Sequence, residues 1–216
     1  MKKAIFSIII SLFLSVVLHA QKSGGEKHDA SLPNYYENSS TLIIDDRVYE
    51  VEVWESKGEP HKVRVDIKEE NSDLVFYARF KDSGDIQEWS PRPSLKNIQS
   101  AADVIRDVFP LEDRTNFVSD NFLTFVFRVS TDSGKIEATK FFIVMENGVD
   151  RPLCSIPPST IFEIEKRFAE VLEFDITEEN KKYDSLVCSI SIMFGPDGKV
   201  LVRKPDSMYI HSFEEY

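Results

Sequence analysis

Few residues of this chain have the types and spacing that catalysis or metal binding requires. Histidine is scarce: His19, His28, His61 and His211 show no HxH, HxxxH or HExxH spacing. A zinc centre needs convergent ligands on a rigid frame. His28, His61 and His211 fall in a leader, a loop before a strand and the tail, so no metal site is expected. No GxSxG elbow is present, and Ser189 and Ser191 alternate out of a strand, which reads as an exposed sheet face rather than a triad. Asp45 with Asp46, or Glu163, Glu165 and Glu170, could supply a glycosidase-type pair. Such a pair works only where a dry pocket raises one pKa, and these carboxylates stand at a strand entrance or on the polar side of a helix. Asp132, Ser133, Asp197 and Gly198 look like parts of calcium loops, but the alternating oxygen donors and distal glutamate are missing. They read as hairpin turns. With no phosphate-cradling glycine loop either, catalytic residues stay unassigned and no cofactor is expected.

The N-terminus limits the chemistry further. Lys2 and Lys3 precede an apolar run from Ala4 to Leu18 that closes on Leu18-His19-Ala20 before polar residues. That pattern is an export signal, too short for the roughly 20 residues of a spanning helix, with cleavage expected after Ala20. No cysteine follows the run closely enough to carry a lipid anchor. The expected product is exported to the periplasm or beyond, is not inserted in the membrane, and works away from cytosolic ATP and NAD. Without Lys2 and Lys3, 24 basic residues face 37 acidic ones, a formal charge of −13. An acidic chain with no dense Lys/Arg run argues against nucleic acid and anionic membranes as partners.

Export also bears on the two thiols. Cys154 and Cys188 form a candidate disulfide in an oxidising compartment. Equally, Cys188 occupies an apolar position of a predicted strand, where a reduced cysteine packs as a small hydrophobe. No CxxC supports redox catalysis.

The elements follow from hydrophobic period. Residues 21–45 are polar and read as a flexible leader, with Tyr35 and Tyr36 able to dock on the body. Residues 46–92 read as an antiparallel meander. Tyr49, Val51 and Val53 share one face, Val63, Val65 and Ile67 another, and Leu74 to Phe80 makes a third strand. Trp89-Ser90-Pro91-Arg92-Pro93 marks a boundary.

Residues 93–150 and 151–216 then read as one helix-hairpin unit written twice. In the first, Ser94 caps a helix with Ile98, Ala101, Ile105, Val108 and Phe109 inward and Pro110 at its end. The hairpin follows through Phe122–Val129 and Ile136–Met145. In the second, the helix buries Ile161, Ile164, Phe168, Val171 and Leu172. The strand that follows puts Leu186, Cys188, Ile190, Ile192 and Phe194 on one face, with Ser185, Ser189 and Ser191 on the other. Shifts of 63 and 64 residues superpose the two units, which indicates internal duplication. The expected fold class is α+β, with two helices packed on one antiparallel sheet.

The run Ser189-Ile190-Ser191-Ile192-Met193-Phe194, with Pro196-Asp197-Gly198-Lys199-Val200-Leu201-Val202 after it, resembles the hairpin of TonB C-terminal domains. The resemblance covers about thirty residues and implies helix-hairpin architecture but no functional residues. The helix-strand unit expected after that hairpin and the proline-rich spacer are missing. The whole chain also resembles small exported bacterial proteins of unknown function.

Aromatic residues are the remaining hardware. Trp54 lies on the Glu50 and Glu52 side of its strand, opposite Val51 and Val53, and with Tyr77 and Trp89 it forms a candidate binding set for sugar rings or a protein hot spot. The competing reading covers Trp54 with a helix or the leader, since exposed tryptophan is unusual in monomers. Two functions follow: an exported non-catalytic module that binds protein or glycan, or a small envelope hydrolase with an acidic site. A pocket with inward carboxylates would favour the second, and a shallow aromatic surface the first. Oligomeric state stays open.

Overall fold

Segments of period two become strands and segments of period 3.6 become helices, in an α+β arrangement. The computed structural model describes residues 35–36, 41–44, 47–55, 62–69, 78–87, 92–117, 121–146, 152–203 and 214–215, all within one compact unit, Leu32–Tyr216. In chain order the elements are β1 (Thr41–Ile44), β2 (Arg47–Glu55), β3 (Lys62–Glu69), β4 (Ala78–Arg79), β5 (Ile86–Gln87), β6 (Ser94–Leu95), α1 (Ile98–Val108), α2 (Leu111–Asn116), β7 (Phe122–Ser130), β8 (Ile136–Glu146), α3 (Pro158–Val171), β9 (Phe174–Asp175), β10 (Ser185–Phe194), β11 (Val200–Arg203) and β12 (Glu214–Glu215).

Eight strands make one sheet in the order β1-β2-β3-β8-β7-β10-β11-β12, and its neighbouring strands pair antiparallel. The two hairpins meet at its centre, where β7 and β10 run in register from Ser130↔Ser185 to Phe122↔Met193. Gly134 and Gly198 adopt φ of 67° and 68° in the hairpin turns, a left-handed conformation glycine enters without a Cβ penalty.

One face of this sheet is closed by α1 and α3. Leu123, Phe125, Phe127, Val129, Ile190, Ile192 and Phe194 are fully buried beneath them, and the cluster continues through Val65, Ile67 and Ile143. Phe168 of α3 stands edge-on to Phe125 at 5.1 Å and to Phe127 at 6.0 Å, a favoured aromatic geometry. From α3, Phe162 also reaches Tyr49 of β2 and Phe141 of β8, at 4.2 and 5.7 Å. In α1, Ala101 and Ala102 are fully buried and Phe109 follows its last turn. Phe109 packs edge-on against Phe194 at 5.6 Å, and α1 rests on β11. α1 therefore covers the β10–β11 hairpin, and α3 the β7–β8 hairpin.

Several boundaries differ from the sequence expectation. The body begins before residue 46: Thr41–Ile44 is a strand, and Leu42 and Ile44 pack against the core. Tyr36 is fully buried, its hydroxyl donating to the Ile156 carbonyl at 2.7 Å, and Tyr35 N donates to the Cys154 carbonyl at 3.0 Å. The meander is consequently β1-β2-β3, while Ala78–Arg79 pairs with β5 outside the main sheet. Ser94 does not cap α1; Ser94 and Leu95 pair with Asp175 and Phe174. Asn97 precedes the helix instead and clips it to the end of α3. Its Nδ2 donates to the Val171 carbonyl at 2.7 Å and its Oδ1 accepts from Glu173 N at 3.0 Å. Pro110 does end α1, but it also leads into α2. Val171 is exposed rather than buried, because that clip turns the chain away at Leu172.

Phe168→Ala should remove the ring that holds α3 on the sheet and cost about 3–5 kcal/mol. Val171→Ala at the exposed end of the same helix should change stability by less than about 0.5 kcal/mol. Urea denaturation of the two variants beside the parent protein measures both.

Candidate functional site

The sheet face opposite the helices carries a patterned surface, and cross-strand register places its residues in rows. One row runs Glu52, Asp66, Phe142, Thr124, Ser191, Arg203, from β2 to β11. Beside it runs Trp54, Arg64, Val144, Phe122, Met193, Leu201. Strand alternation puts all twelve on the side away from α1 and α3. Trp54 is 59% exposed, near the end of β2 on the side opposite the helices, so no helix covers it; the leader that could do so lies largely outside the described residues.

The arginines of this face lie on its aromatics. The Arg64 guanidinium sits 4.1 Å from the Phe142 ring centroid and is ion-paired with Asp66, while Arg203 lies 5.8 Å over Phe122. Cation–π contact of this kind stabilises by about 0.5–1 kcal/mol at exposed sites and holds the guanidinium edges outward as donors. Between them runs a polar line in which Arg203 Nη2 donates to Ser191 Oγ at 3.0 Å and Ser191 Oγ lies 2.9 Å from Thr124 Oγ1. Ser191 and Thr124 are buried, which corrects the expectation of an exposed serine face; Ser185 is buried as well. Burial lowers the Arg203 pKa, and the charge of Arg92 adds to that.

A second feature is a groove of about 570 Å³ between the β1–β2 edge and α3. Ile44, Tyr49 and Phe162 supply its apolar lining. Charged residues of both signs, Arg47 and Lys166 with Glu163 and Glu165, line it too. Glu163 has a 59% exposed side chain, 4.0 Å from Arg167, and Glu170 is exposed. This is not the dry setting in which one carboxylate holds a proton for its neighbour.

The remaining sequence candidates separate. Tyr77, Trp89, Asp45, Asp46, the histidines and the export signal lie outside the described residues. Asp132 and Asp197 occupy the two hairpin turns. No bond joins Cys154 and Cys188, and both are buried. Cys188 faces the helix side of β10, where it packs as a small hydrophobe in the common core; Cys154 lies in the 3-10 turn Pro152–Ser155 ahead of α3. The rows were missed by sequence reading although their signal was present, since β8 carries apolar residues on both faces. Among the described residues, no helix is long and apolar enough to cross a membrane.

No protein-family model matches the sequence, and no curated protein is similar to it. Its fold is similar to the crystal structure of a DUF5043 family protein from Bacteroides uniformis, with a TM-score of 0.55 and 16% identity over 85% of this chain and 95% of that one. At this identity the likeness concerns the fold alone. It is this whole-chain likeness to a family without assigned function, and not the TonB resemblance of the last hairpin, that the comparisons support.

The buried thiol gives a pH signature. Burial pushes the Cys188 pKa from 9.0 up to about 12, with Arg92 opposing in part, and burial likewise raises that of Tyr36. The unfolded chain releases these protons first, so stability is full below pH 9 and falls as pH rises toward 12. Cys188→Ala should remove the part of the loss that begins near pH 9 and leave the part from Tyr36 that begins near pH 10, and in the parent protein a thiol reagent should label Cys188 only in denaturant. Both are read by unfolding titrations across that pH range and by mass spectrometry.

Proposed function

We propose that this protein is an exported, non-catalytic module of the bacterial envelope whose sheet face opposite the helices binds another protein around Trp54. The observation that carries this reading is the exposed Trp54 in register with Arg64, whose guanidinium lies on Phe142. Tryptophan and arginine are the residue types most enriched where binding energy concentrates. The half-buried apolar strip through Val144, Phe122, Met193 and Leu201 gives such a contact breadth. The charged ends, Glu52 and Asp66 on one side and Arg203 on the other, give a partner its orientation.

Export rests on the Met1–Ala20 signal and its basic start. The hydrolase reading is less well supported, because the groove bearing Glu163 and Glu165 is open to solvent. A glycan would stack on Trp54 but has no use for an apolar strip four strands wide. Duplication of the helix-hairpin unit is part of the same reading. It is supported by the antiparallel meeting of β7 and β10 and by the way each helix covers the other hairpin, an arrangement a local twofold axis would produce.

The test is retention of a partner from envelope extract on the immobilised mature protein. Trp54→Ala and Arg64→Ala should each weaken retention at least about tenfold, the effect of losing a hot-spot side chain, with circular dichroism unchanged. Retention that survives protease treatment of the extract, or is indifferent to both substitutions, would contradict a protein-binding face.

A further inference from the structure

The two edges of the sheet differ in a way that points to a second interaction. At one end, β12 is two residues long and acidic, and Glu215 is tied to Lys199 at 2.9 Å. Short, charged strands are how sheet edges avoid unwanted pairing. At the other end, β1 reads Thr41-Leu42-Ile43-Ile44, with neither charge nor proline, and pairs only with β2 among the described residues. Ile43 is 75% exposed, the highest value of any large hydrophobic residue described. On the inward face, Leu42 and Ile44 are only half-covered by the core, and the groove toward α3 opens beside them.

We propose that two copies of this chain join edge to edge through β1, antiparallel about a twofold axis normal to the sheet, so that the sheet continues from one copy into the other. The occupant is argued from complementarity. An extended, uncharged, apolar strand is what this edge would accept, and β1 is itself such a strand. A twofold normal to the sheet keeps the helices of both copies on one side, so each α3 approaches the junction over Leu42 and Ile44. A self-complementary patch of this kind is what an isologous interface requires. The acidic net charge opposes association at long range and is screened by salt, so the dimer tightens as ionic strength rises from a low value.

This interface is separate from the face carrying Trp54, and the experiment keeps the two apart. Sedimentation equilibrium of the mature protein should show a reversible dimer. Ile43→Lys alters a side chain already in solvent and should raise the dissociation constant at least tenfold with an unchanged circular dichroism spectrum. Thr41→Lys, also exposed, should act the same way and substitutes for it if the first variant is poorly folded. Trp54→Ala should leave the dimer intact while weakening partner retention. A protein that stays monomeric at every concentration, or a dimer indifferent to both lysines, overturns the proposal. So does a dimer that Trp54→Ala dissolves.

Discussion

The structure depends on burying the helix-side face of β7 and β10, where Leu123, Phe125, Phe127, Ile190 and Ile192 would otherwise present a broad apolar plane to water. Water is removed from it by α3, through Phe168, and by α1, through its alanines and the Phe109 that follows it. Neither hairpin could persist alone, since a two-stranded ribbon is marginal in water. Nor does either helix have another surface on which to hide its stripe. Their mutual requirement explains why the elements share one core cluster from Tyr49 at one end to Val202 at the other.

That constraint also decides where patterned surface is left outside the core. The helix side is filled with rings packed edge to face, leaving the opposite sheet face and the strand edges as the surfaces with patterned chemistry. Arg64 and Arg203 on that face lie over phenylalanines, which keeps its apolar surface partly covered. The Asn97 clip and the Lys96–Asp175 ion pair at 3.1 Å hold the ends of α1 and α3 together, so the helix layer and the opposite face are kept apart by the full thickness of the sheet.

Much of this was legible in the residue pattern. Alternation in Phe122–Val129 and Leu186–Phe194 located both central strands, and Ile161, Ile164 and Phe168 located the buried stripe of α3. What was not legible depended on contacts distant in sequence. Thr41–Ile44 is flanked by polar residues and too short to show a period, and becomes a strand because β2 offers its edge. The role of Asn97 requires α3 to arrive from more than seventy residues away. Ser191 looked exposed because alternation places it away from the helices; it is buried and bonded to Thr124 and Arg203 of neighbouring strands, contacts no single strand reveals. For the same reason the stacking of Arg64 on Phe142 could not be read from either strand alone.

Native-state hydrogen exchange tests the single-core account most directly. If the one apolar face unites the sheet, central amides of β3, β7 and β10, such as those of Val65, Phe125 and Ile190, exchange only through global opening. They then share one free energy that falls with denaturant at one slope. Should β2 and β3 open at a markedly lower free energy while β7 and β10 stay protected, the meander and the helix-hairpin units have separate cores, and the account fails.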